Sequence, residues 1–91
     1  EWPEAFPAFA PETIEWLAER SVHLIGTDAP SVDPVDSTDL PAHHALRRHQ
    51  IVNLEGLQFR SVDPGAYRLV ALPLKILDLD ASPVRAVLVR A

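Results

Sequence analysis

Apolar positions recur at helical spacing first between Pro11 and Arg20, where Ile14, Leu17 and Ala18 form one stripe and Glu12, Glu15 and Glu19 fall on the outer side. Pro11 stands where a first helical residue belongs, and Glu12 and Glu15 lie near the positive end of the dipole. Trp16 lies off the stripe, which assigns it to a second surface. Val22 to Gly26 is a short apolar run ending in glycine and reads as a strand. Leu40 to His49 opens with Pro41, can be capped by Ser37 or Asp39, and reads as one or two helical turns. Gln50 to Leu57 alternates, with Ile51, Asn53 and Glu55 on one face and Val52 and Leu54 on the other. Asp63-Pro64-Gly65 is a turn signal. Tyr67 to Ile76 reads as a long strand that Pro73 bends or confines to an edge. Leu77 to Pro83 reads as a loop, and Val84 to Val89 as a final, largely buried strand. The order helix, strand, helix, strand, strand, strand predicts a mixed α/β fold.

The stretches between these elements are polar and proline-rich. Thr27 to Asp39 carries Asp28, Asp33, Asp36 and Asp39, but lacks the glycine and closing glutamate of a helix–loop–helix calcium site. Its Asp and Ser residues are expected to cap turns through their own backbone. The opening segment interleaves Trp2, Phe6 and Phe9 with Pro3 and Pro7, which predicts an extended loop pinned to a core or to a segment upstream.

Composition narrows the picture. Ninety-one residues allow one domain at most, here residues 1–91, with a modest core. A net charge of −5, with Arg47–Arg48 as the only adjacent basic pair, argues against a nucleic-acid partner. No apolar run is long enough to span a membrane, so no membrane partner is expected. The absence of cysteine excludes disulfides and zinc thiolates and fits a reducing, cytoplasmic compartment. With no methionine and an aromatic opening, the chain is expected to be the second half of a longer subunit.

The chemistry concentrates between Ala42 and Gly56. His43 and His44 are adjacent, so they point about 100° apart on a helix, and Leu46 three residues after His43 puts His43 on the more buried side. Glu55 sits in an apolar strand, where a carboxylate needs something opposite to stabilise it. One reading joins a histidine and Glu55 in a divalent metal site or an acid–base pair. The other makes the chain a non-catalytic binding or oligomerisation module, in which Glu55 pairs with Arg47 or Arg60 and the histidines are satisfied within the core. His23 reads as a solvated or hydrogen-bonded residue, and His49 as a solvated one.

Three segments carry a resemblance: Trp16 to Pro34 (W-L-A-E-R-S-V-H-L-I-G-T-D-A-P-S-V-D-P), Ala42 to Leu46 (A-H-H-A-L) and Asn53 to Leu57 (N-L-E-G-L). In this order the chain resembles the C-terminal half of the metal-dependent cyclase family, and within it the kynurenine formamidase (arylformamidase) branch. The tail with A-L-P-L-K-I and D-A-S-P-V-R-A-V-L is similar too. The resemblance implies a swivelling β/β/α-type fold of which only the C-terminal half is present, in a subunit that is usually dimeric. It implies hydrolysis of N-formyl-L-kynurenine to L-kynurenine and formate with zinc, commonly two ions, or another divalent metal. The isatin-type amide hydrolases remain an alternative within the family. Most ligands, and the catalytic histidine, belong to an H-x-x-x-H-x-D segment and a following loop that this sequence lacks, so the N-terminal half of the same subunit is the implied partner. The residues carried over are His43 and Glu55 as metal ligands; beside them His44 is a candidate second ligand or supporting group, and Asn53 a candidate supporting group. The loop around Ser31 and Asp33 matches a family signature taken as structural.

Overall fold

The computed structural model describes residues 3–91. Trp2, one of the aromatics expected to pin the opening segment, lies outside them. In chain order the elements are α1 (Pro11–Glu19), β1 (Leu24–Gly26), α2 (Pro41–Arg48), β2 (Val52–Leu54), β3 (Tyr67–Pro73) and β4 (Val84–Arg90). This is the mixed α/β order expected, with β1, β2 and β3 shorter than expected and β4 one residue longer. Contacts divide the chain into two compact units, one reaching to Phe59 and one spanning Arg60–Ala91.

In the first unit β1 and β2 pair in parallel, Leu24 with Val52, Ile25 with Asn53 and Gly26 with Leu54. Parallel neighbours need a crossover, and the crossover here contains α2. Both helices end in the same way. Val22 N–H donates to Leu17 O and Ser21 N–H to Ala18 O after α1; Ile51 N–H donates to Leu46 O and Gln50 N–H to Arg47 O after α2. This is the Schellman pattern, and Ser21 (φ 60°) and Gln50 (φ 54°) take the left-handed position usually given to glycine. Each motif turns the chain at once from helix towards strand. The core is Ile14, Ile25, Val32, Ala42, Ala45, Leu46 and Ile51, with Phe9, Leu17, Ala18 and Val22 packed against it. Phe9 N–H also donates to Val32 O at 2.9 Å, so the opening loop is pinned at that residue. Trp16 stays exposed beneath the Arg20 guanidinium, whose carbon lies 3.7 Å from the ring centroid.

The second unit is an antiparallel hairpin, β3 against β4, running from Tyr67 opposite Arg90 to Pro73 opposite Val84. The turn before it is held by the Tyr67 hydroxyl, which donates to Asp63 O at 2.6 Å. Pro73 ends β3, three residues short of the expected Ile76. The expected burial of the final strand is not found: Val87, Leu88 and Val89 are all exposed. An apolar strand is buried only where another layer covers it, and this hairpin brings no second layer within its own unit.

Candidate metal-ligand site

The loop between β1 and α2 is laced to the segment that follows β2. Thr27 N–H donates to Leu54 O, Leu57 N–H to Thr27 O and Gly56 N–H to Ala29 O. The Thr27 and Ser31 hydroxyls accept from Ala29 N–H and Asp33 N–H, making the local turns that the sequence suggests. Gly56 takes φ 66°, which lets the chain turn directly after Glu55. Glu55 thus lies just past β2 rather than within it, its side chain 29% exposed.

Asp33 departs from the expected pattern. It is the one fully buried charged side chain among the described residues, and it does not cap its own turn. Its Oδ1 accepts Ala42 N–H at 2.7 Å, and its Oδ2 accepts His43 N–H at 3.0 Å. These are two of the free amides at the start of α2, so Asp33 caps the helix from eight residues before Pro41. The expected cap from Ser37 or Asp39 is corrected accordingly: Ser37 Oγ accepts Leu40 N–H instead, and the residue preceding the helix, Leu40, sits at φ 48° with no side-chain cap. Burial alone would raise the Asp33 pKa. The hydrogen bonds from His43 N–H, Ala42 N–H and the His43 ring outweigh it and hold the carboxyl below its ordinary value.

Oδ2 of Asp33 also lies 2.7 Å from His43 Nδ1. An ionised carboxylate only accepts, so Nδ1 carries the proton and donates. The neutral ring then presents an unprotonated Nε2 on its far side, 3.4 Å from Glu55 Oε2. That oxygen is itself fixed by Val32 N–H at 2.9 Å. Two lone-pair atoms face each other across this gap, which is stable only with a cation between them, either a proton or a metal ion. The separation is long for a protonated imidazole–carboxylate bond, which runs about 2.7–2.9 Å. Two donors held at about 2.0–2.1 Å by one tetrahedral zinc ion stand about 3.3 Å apart, close to what is found. Neutral imidazole and carboxylate are also the right donor types.

The two ligands carried over by resemblance, His43 and Glu55, are therefore brought together, twelve residues apart in sequence. His44 is exposed, and neither it nor Asn53 hydrogen-bonds to Asp33, His43 or Glu55. The salt bridge of Glu55 to Arg47 is absent among the described residues; Arg48 pairs loosely with Glu15 at 3.7 Å. Asp33 is the residue beside this pair whose contacts the turn reading missed. Its signal was an apolar neighbour, Val32, inside an otherwise acidic loop. No group of three or more His, Cys, Asp or Glu among the described residues could hold a metal ion. A catalytic zinc commonly takes three protein ligands, one more than the pair supplies.

Comparison with known proteins bears on this pair. No protein-family model matches the chain. Over 88 residues, 97% of its length, it is 65% identical to the kynurenine formamidase of Salinibacter ruber, of which it covers 42%. It is 58% identical over 87 residues to the kynurenine formamidase of Bordetella pertussis, again covering 42% of that protein. The chain thus spans well under half the length of these curated relatives. Among solved structures, a potential metal-dependent hydrolase with cyclase activity superimposes with a TM-score of 0.82 and 31% identity, over 91% of this chain and 41% of the other. A metal-dependent hydrolase from Bacillus stearothermophilus, described as predicted, gives 0.81 and 31%, over 91% and 40%.

Proposed function

We propose, from the likeness of this chain to kynurenine formamidases at 58–65% identity over 96–97% of its length, that it supplies two metal ligands, His43 Nε2 and the Glu55 carboxylate, to a site that hydrolyses N-formyl-L-kynurenine to L-kynurenine and formate. One observation carries the reading: two electron-pair donors face each other at 3.4 Å, each held from behind by a hydrogen bond. The coverage of only 42% of the curated relatives supports a longer subunit, in which residues beyond this chain complete the ligand set and provide the catalytic histidine. Zinc, in one or two ions, suits the donors best, and a homodimer is the expected assembly. A bound divalent metal would make water a nucleophile near neutral pH and polarise the formyl carbonyl.

This chain's own residues prepare that chemistry. Asp33 keeps the ring proton on Nδ1, so Nε2 is free to bind. Val32 N–H occupies one side of Glu55 Oε2 and fixes the carboxylate facing the ring. Neither ligand has to be reoriented when a cation arrives, because both are already held in place. Among the described residues no helix is long and apolar enough to cross a membrane.

The test uses the longer subunit that contains this chain. Metal content and the rate of kynurenine formation from N-formyl-L-kynurenine are measured for the parent and for His43→Ala and Glu55→Ala. Removing a ligand should cost more than the 10–100-fold typical of an outer partner, so each variant is expected to lose metal and at least about 100-fold in rate. Full metal content and full rate in both variants would remove His43 and Glu55 from the site.

A further inference from the structure

We propose that the dipeptide Val32–Asp33 is a positioning device that sets both ligand atoms from one rigid point, with Asp33 a positioning residue that fixes the His43 tautomer. The proposal rests on the reading of His43 and Glu55 as metal ligands and extends it to residues that touch no metal. Consecutive residues reach in two directions. The Val32 amide holds Glu55 Oε2 at 2.9 Å, and the Asp33 carboxylate holds His43 Nδ1 at 2.7 Å. The point from which they reach is stiff. Val32 and Asp33 are both fully buried, Val32 O accepts Phe9 N–H, and Asp33 N–H donates to Ser31 Oγ.

A helix cap alone does not require this arrangement. A cap needs one side-chain oxygen on the first free amides, which Asn, Ser or Thr supplies. In Asp33 that work falls to Oδ1 on Ala42 and Oδ2 on His43 N–H, and Oδ2 takes the ring proton in addition. Only an acceptor at that second oxygen forces the proton onto Nδ1 and leaves Nε2 bare. Asn in its place would keep the oxygen towards Ala42 and turn an N–H₂ group towards the ring. The ring would then accept at Nδ1, carry its proton on Nε2, and donate that proton to Glu55. The ligand position would be closed by one hydrogen atom, and His43 N–H would lose the acceptor that Oδ2 gives it.

The experiment reads the tautomer directly. Nitrogen-15 NMR of the histidine rings is recorded on the metal-stripped longer subunit, in parent and Asp33→Asn, above the pH at which the rings are protonated, with His43→Gln to assign the signal. The parent is expected to show a protonated Nδ1 and a bare Nε2; Asp33→Asn is expected to show the reverse. Zinc affinity, measured by chelator competition, should fall 10–100-fold in Asp33→Asn, as for other partners that orient a ligating histidine. Asp33→Ala, which drops the cap as well as the charge, should also lose zinc affinity and should lower the thermal midpoint further than Asp33→Asn, which keeps an oxygen on Ala42 N–H. A parent ring with its proton on Nε2 overturns the proposal whatever the variants do. So does an Asp33→Asn protein that binds zinc as the parent does. If the parent shows the Nδ1 tautomer but takes up no zinc, the metal reading fails and the positioning of the ring stands.

Discussion

The second unit is the more apolar in sequence, yet the first is the one that buries its apolar residues. The first buries Ile14, Val32, Ala42 and Ala45 completely and Leu46 and Ile51 nearly so. The hairpin of β3 and β4 carries Leu69, Val70, Leu72, Val87, Leu88 and Val89, and every one of them is exposed. The difference lies in layering. In the first unit α1 and α2 pack on one another, and α2 also packs against β2, so apolar stripes meet apolar stripes. A two-stranded hairpin has two faces and, within its own unit, nothing to lay against either. The one buried charge among the described residues belongs to the unit with layers, because only there can a carboxylate be shielded from water and still be fully hydrogen-bonded.

Substitutions can sharpen or break that contrast. The largest effect is expected for Leu46→Ala, which opens a cavity in the layered unit and should cost about 2–5 kcal/mol in denaturant unfolding. A cost below about 1 kcal/mol would mean the core is not the close-packed one described.

Next comes Asp33→Ala, which strands two helix amides and a ring N–H and should cost about 2–3 kcal/mol at neutral pH. This cost should depend on acid in a definite direction. The folded-state pKa lies below the ordinary 3.8, so the contribution of Asp33 is complete above 3.8 and is lost as pH falls through the lowered value. Acid unfolding curves of parent and variant should therefore converge below 3.8. A gap that widens in acid would contradict the hydrogen-bond account.

Gly26→Ala should be milder, about 1 kcal/mol or less, although its new methyl would stand 2.7 Å from Leu57 Cδ1. The clashing atom is the end of a flexible side chain that can turn away. The smallest effect is expected for Leu72→Ala, a residue 76% exposed on the hairpin, at about 0.5 kcal/mol or less. If Leu72→Ala cost as much as Leu46→Ala, the distinction between a layered unit and an uncovered one would be lost.

Much of the first unit was legible because its signals are local. Pro11 starts α1, the spacing of Ile14, Leu17 and Ala18 orients it, and Pro41 starts α2. The glycine after Glu55 marked that carboxylate, and Leu46 put His43 on the buried side, while the pairing of the two came from the resemblance. The hairpin's strands and the Asp-Pro-Gly turn before them were legible too, but not the hairpin's exposure. A run such as Val84 to Val89 reads the same whether or not a second layer lies on it. Asp33 was read as one more turn residue in an acidic loop, since its hydrogen bonds run to residues nine and ten positions on. The hydrogen bond from Val32 to Glu55 spans 23 positions and leaves no trace in spacing.

By itself, then, the sequence determined the order of the elements and the helix starts, because each follows from neighbours within a turn or two. Only the tertiary structure decided which nitrogen of His43 is free, what holds Glu55, and which apolar runs are covered. Those depend on groups far apart in the chain, and their meeting is set by the packing of α2 and of the β1–α2 loop rather than by any local preference.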